Sequence, residues 1–91
     1  MSARAWIDEW SDSTDNNGLL VMDGYDDCIV GVVSRFGTDP FVVYDRTKVI
    51  KKLMADGMTY EEAVEFHEFN QIGAFVGPHT PGFIELPESE P

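Results

Sequence analysis

The sequence predicts a small α+β domain, with a short three-stranded sheet packed against about three helices. Three observations lead there. Short apolar runs recur at 19–24, 40–45 and 81–86, the second of them β-branched and aromatic, with turn-forming residues beside them. Apolar residues at helical spacing fill the stretches between them. A hydrophobic content of 43%, with six Phe, three Tyr and two Trp, is enough for a packed core in one domain.

The N-terminal "SARAWIDEW" predicts a short helix with Trp6 and Trp10 one turn apart on the same face. "SDSTDNNG" reads as a loop, so residues 1–18 form a peripheral segment that docks on the domain or offers a contact surface. The globular part spans 19–86, and "PESEP" (87–91) is an acidic tail. "LLVMDG" predicts a buried strand. From Tyr25 the spacing of Ile29, Val32, Val33 and Phe36 predicts a helix closed by Gly37, with Asp26 and Asp27 in its first turn.

"PFVVYD" predicts the second strand. Val49, Ile50, Leu53 and Met54 then form the stripe of a helix stopped by Asp56-Gly57. Arg46, Lys48, Lys51 and Lys52 fall largely off that stripe, on an exposed edge. Thr59 and Glu62 have capping-box spacing, so a further helix opens there and runs to about Val76, ended by Gly77-Pro78. "PGFIEL" is the third strand. The β–α–β start permits a parallel, right-handed pairing of the first two strands.

Charge narrows the function classes. Seventeen acidic against six basic residues give a net charge of −11, which opposes direct binding to a phosphate backbone. Such a surface favours basic protein partners, including proteins that normally hold nucleic acid, or serves solubility alone. Cys28 is the one cysteine, so an internal disulfide and a Cys-based zinc site within one chain are excluded. It is expected as a small core residue. With no membrane-length apolar run and no signal-type h-region, a soluble cytoplasmic protein is expected.

Candidate chemistry is sparse. Asp23, Asp26 and Asp27 offer oxygen donors for a hard cation, but they lack the ordered ligand pattern of a calcium loop. The same acids suit a strand-to-helix junction, and that reading is preferred. His67, among Glu61, Glu62, Glu65 and Glu68, reads as a surface histidine. His79 lies in the "GPHTPG" loop, where it could meet a partner. Neither a nucleophile motif nor a Gly-rich phosphate loop occurs, and no cofactor is expected.

"FNQIGAFVGPHTPGF" is the least ordinary stretch. Gly73 and Ala74 would let another backbone approach closely, and the Asn70 amide would bridge to the 77–82 loop. Alternatively, Asn70, Gln71, His79 and Thr80 form a polar rim around Phe69, Phe75 and Phe83, as in a protein or small-ligand contact.

Taken together, "DGYDDCIVGVV", "VYDRTKVIKKLMADGMTYEEAVEF" and "FNQIGAFVGPHTPGFIE" resemble a family of small hypothetical proteins encoded by tailed bacteriophages and prophages. The resemblance covers about residues 19–85. It implies an accessory protein acting in a bacterial host cytoplasm and carries no established activity. The leading expectation is non-enzymatic binding to a host or phage protein, as an inhibitor or DNA mimic. Tyr25, Asp26, Asp27, Asn70, Gln71, Phe75, His79 and Thr80 are the candidate contacts, and Glu61, Glu62, Glu65 and Glu68 the phosphate-like charges. The alternatives are a small hydrolase or nucleotide-binding protein with a divalent metal on Asp23, Asp26 and Asp27, and an assembly protein that oligomerises, for instance as a homodimer.

Overall fold

Beginning at Ser2, whose hydroxyl accepts the Ala5 N–H, a computed structural model describes residues 2–16, 18–74 and 77–87. The order is helix α1 (Ala3–Thr14), a 3₁₀ turn (Asp26–Cys28), strands β1 (Ile29–Val33) and β2 (Phe41–Asp45), helices α2 (Arg46–Ala55) and α3 (Tyr60–Phe66), a π-helical continuation (His67–Ile72) and strand β3 (Gly82–Ile84). Three strands and three helices make the α+β fold that the sequence predicts.

The sheet order is β1-β2-β3. β2 is central and its residues Val42–Asp45 are all buried, as expected of a strand covered on both faces. It pairs antiparallel with β1 (Ile29 opposite Tyr44, Val33 opposite Phe41), with an irregularity between Ile29 and Gly31. It pairs parallel with β3, Val43 lying beside Gly82. The parallel pair is therefore joined by the α2–α3 crossover, and the first two strands form a hairpin instead of a β–α–β unit.

Three segments differ from expectation, two of them for identifiable reasons. "IVGVV" is a strand and not a helix, because β-branched side chains lose χ1 freedom in a helix and fit a pleated sheet. Its apolar spacing was compatible with either period. Phe36, expected on the helical stripe, instead sits fully exposed in the hairpin loop. "LLVM" is irregular, since its backbone bonds elsewhere: the Met22 N–H donates to the buried Tyr44 hydroxyl at 2.6 Å. Leu19, Val21 and Met22 still pack on the core. "SDST" continues α1 rather than forming a loop.

The remaining helices follow their local signals. The buried Asp45 side chain accepts from Thr47 N–H at 2.9 Å and Lys48 N–H at 3.3 Å, so α2 starts directly off β2. Val49, Ile50 and Leu53 are buried, whereas Met54 is partly exposed. The helix ends in a Schellman arrangement, with Met58 N–H bonded to the Leu53 carbonyl and Gly57 N–H to the Met54 carbonyl. That geometry needs Gly57 at φ 110°. The Thr59–Glu62 capping box is formed in both directions. α1 inserts Ile7, 2% exposed, into the core, while Trp6 is exposed and Trp10 half-buried.

Candidate protein-contact site

The helix that begins at Thr59 changes character at His67. Gly73 N–H reaches back to the Glu68 carbonyl at 3.2 Å, a five-residue span that marks π geometry. The α-helix ends at Phe66 and its π continuation at Ile72, short of the expected Val76, which lies outside the described residues together with Phe75. The nearest atoms to a Cβ built on Gly73 are the Phe69 and Glu68 carbonyl oxygens of its own preceding turn. Gly73 therefore accommodates its own turn, not another backbone.

His67 is 0% exposed, in contrast to the surface histidine expected from its acidic neighbours. Its ring stands edge-on to Phe83, with centroids 4.5 Å apart, and Nδ1 lies 2.6 Å from Gln71 Oε1. Nε2 is buried and has no hydrogen-bond partner among the described residues. The neighbouring glutamates point outward while the imidazole points inward, an arrangement that four acids in sequence obscured. The Gln71 bond lies within its own helical run, one turn from His67, and is not the bridge to the 77–82 loop expected of Asn70. Asn70 is exposed, and among the described residues its amide makes no hydrogen bond to the 77–82 loop.

On one side of this helix lies a half-open cleft of about 440 Å³. Leu20, Met22, Pro81 and Phe83 form apolar walls, and Asn70, Gln71 and Thr80 form the polar part. Three of the four expected rim residues thus converge beside Phe83. His79 does not join them: its Nδ1–H donates to the Pro40 carbonyl at 2.8 Å and its ring lies beside Gly18. Thr80 donates its hydroxyl to the Gly77 carbonyl at 2.6 Å. Phe69 faces elsewhere.

The second face of the helix carries the acids. Glu61, Glu62, Glu65 and Glu68 are all exposed. Between them protrude Phe66, 37% exposed, and Phe69, 77% exposed. Two grooves run along this face on either side of Phe69. One, about 610 Å³, has Met58, Glu62, Phe66 and Asn70 in its wall, and the other, about 310 Å³, has Tyr60, Val64 and Glu68. Glu61 and Glu65 border both. Glu68 pairs with Arg46 at 3.5 Å, and Glu62 is occupied in the capping box; Glu61 and Glu65 have no ion-pair partner among the described residues.

The Gly-Tyr-Asp-Asp junction is tied down internally. Tyr25 is half-buried and packs against the core; its carbonyl accepts the Cys28 N–H at 2.9 Å. Asp26 pairs with Arg4 of α1 at 3.5 Å and Asp27 with Lys52 of α2 at 3.4 Å. The hydrogen bond from Lys52 holds the Asp27 carboxyl below its ordinary pKa. The two acids thus stitch α1 and α2 to a short 3₁₀ turn, in place of the predicted longer helix. Among the described residues no three His, Cys, Asp or Glu side chains converge as a ligand set, so Asp23, Asp26 and Asp27 are not gathered for a cation.

Cys28 is buried, as expected. Burial, with the nearby Asp27 charge, pushes its thiol pKa up. Burial likewise raises that of Tyr44, partly offset by the Met22 N–H. Among the described residues no helix is long and apolar enough to cross a membrane. No protein-family model matches the chain, and no curated protein or solved structure does.

Proposed function

We propose that this is a small acidic accessory protein that acts without catalysis, by binding a basic surface of a host or phage protein. One observation carries the reading. The exposed side of α3 and its π continuation combines Glu61, Glu65 and Glu68 with two outward phenylalanines on a protein of net charge −11. Exposed aromatics rimmed by one sign of charge are costly in isolation and are complemented by a cationic, partly apolar partner. Glu61 and Glu65, one turn apart, repel each other until such a partner arrives.

The resemblance to phage and prophage proteins supports a setting in the cytoplasm of an infected bacterium. A partner that otherwise grips nucleic acid fits the sign of the field, and blocking its nucleic-acid groove would make the protein an inhibitor. Direct binding to DNA is disfavoured by the same charge. The test is affinity capture from bacterial lysate at low and at physiological salt, using wild type and a Glu61→Gln/Glu65→Gln variant. The reading expects a specific partner that weakens as salt rises and is reduced by the variant. Capture that is indifferent to both changes would overturn it.

A further inference from the structure

Resting on the reading just given, we infer that the partner element seated on α3 is a basic amphipathic helix, gripped around Phe69. The shape of the surface points there. The wall residues of the larger groove run from Met58, just before α3, to Asn70 in its π continuation, so the groove follows one helical face for on the order of 15 Å at the rise of a helix. It is open along its length and not closed like a small-molecule pocket. A rod with an apolar stripe fits such a channel, as in helix-in-groove recognition.

The chemistry of the rim sets the partner's polarity. Phe66 and Phe69 are three residues apart and offer an apolar ridge that a stripe of Leu, Ile or Met would cover. Glu61, Glu65 and Glu68 flank that ridge over about 10 Å, roughly two turns of a helix. Lys or Arg beside the apolar stripe of the incoming helix would meet them. Within the chain Arg46 pairs with Glu68, whereas Glu61 and Glu65 have no ion-pair partner among the described residues and are left for the incoming helix. A partner recognised by charge alone would need the carboxylates but not the phenylalanines. The exposed ring of Phe69 is therefore what separates an amphipathic helix from a purely phosphate-like mimicry.

The experiment uses a labelled synthetic helix of Leu and Lys at amphipathic spacing, and a scrambled peptide of the same composition, titrated with the full chain by fluorescence anisotropy at physiological salt. The amphipathic peptide is expected to bind at least about tenfold more tightly than the scrambled one. Phe69→Ala, which removes an exposed ring and leaves the core untouched, is expected to cost about tenfold in affinity. Glu61→Gln/Glu65→Gln should weaken binding similarly, whereas Asp8→Asn/Glu9→Gln, removing equal charge from α1, should not. Equal affinity for both peptides with a silent Phe69→Ala would overturn the helix and leave a charge-only basic partner. Binding of neither peptide would also overturn it, while the capture experiment above judges the underlying reading separately.

Discussion

His67 illustrates how much one buried polar atom matters. Its Nδ1 is bonded to Gln71 while Nε2 has no partner among the described residues, so the ring contributes packing against Phe83 and one hydrogen bond at the expense of an orphaned nitrogen. His67→Ala would open a cavity under the sheet and should cost about 3 kcal/mol. His67→Leu keeps volume and removes the orphan, and should stay within about 1 kcal/mol of wild type. Urea midpoints of the two variants distinguish these outcomes; equal losses would mean that the imidazole hydrogen bond, and not packing, dominates. None of this was legible in "EFHEFN", where the flanking acids suggested an exposed ring. The outward glutamates were read correctly, because carboxylates seek water.

Cys28 and Tyr44 give a second residue-scale prediction. Both are buried neutral with pKa values raised in the folded state. As pH rises, the unfolded chain gives up these protons first. The stability they contribute is therefore intact below about pH 8 and is lost as pH passes the unfolded thiol and phenol values of about 8.5 and 10. Denaturation midpoints should fall on the alkaline side, and Cys28→Ala should remove the lower part of that fall and leave the upper part. Asp27 has the opposite sign. Its lowered pKa supplies stability present above its unfolded value and lost as pH falls through the folded one.

At the scale of elements, the parts with local chemical signals were legible and those decided by distant contacts were not. β2, α2 and the start of α3 were predictable because a β-branched run, an Asp cap, a Gly stop and a capping box each act within a few residues. "IVGVV" was misread because a short apolar run fits both periods and pairing with β2 decided between them, and "LLVM" because its backbone bonds to the Tyr44 hydroxyl and not to a strand. The cleft and the acidic face were half-legible: Asn70, Gln71 and Thr80 do converge, yet Leu20, Met22 and Pro81 come from segments that sequence gave no reason to join.

The connection between α2 and α3 is the sharpest element-scale test. Gly57→Ala places a Cβ at φ 110° in the Schellman turn and should destabilise the protein by about 1–2 kcal/mol. Asp45→Ala removes the side chain that accepts from Thr47 and Lys48 at the start of α2 and should cost about 1–2 kcal/mol. Chemical denaturation reads both. A neutral Gly57→Ala would mean that the turn relaxes and that the crossover does not depend on it.

For the whole molecule, a net charge of −11 dominates. Four basic residues are concentrated on α2, and two of them, Arg46 and Lys52, already neutralise carboxylates. The remaining acids repel one another, so thermal stability should rise with added salt before any specific effect sets in. The same field that destabilises the isolated chain would draw it toward a basic partner.

The claim that this partner docks on α3 is tested most directly by photo-crosslinking in a bacterial host, with a photoreactive side chain at position 69 and, separately, at position 9 on α1. Both positions are exposed and lie among acids. The account predicts a discrete protein adduct from position 69 that is absent from position 9 and is lost in the Glu61→Gln/Glu65→Gln background. Identical adducts from both positions, or adducts from position 9 alone, would contradict it.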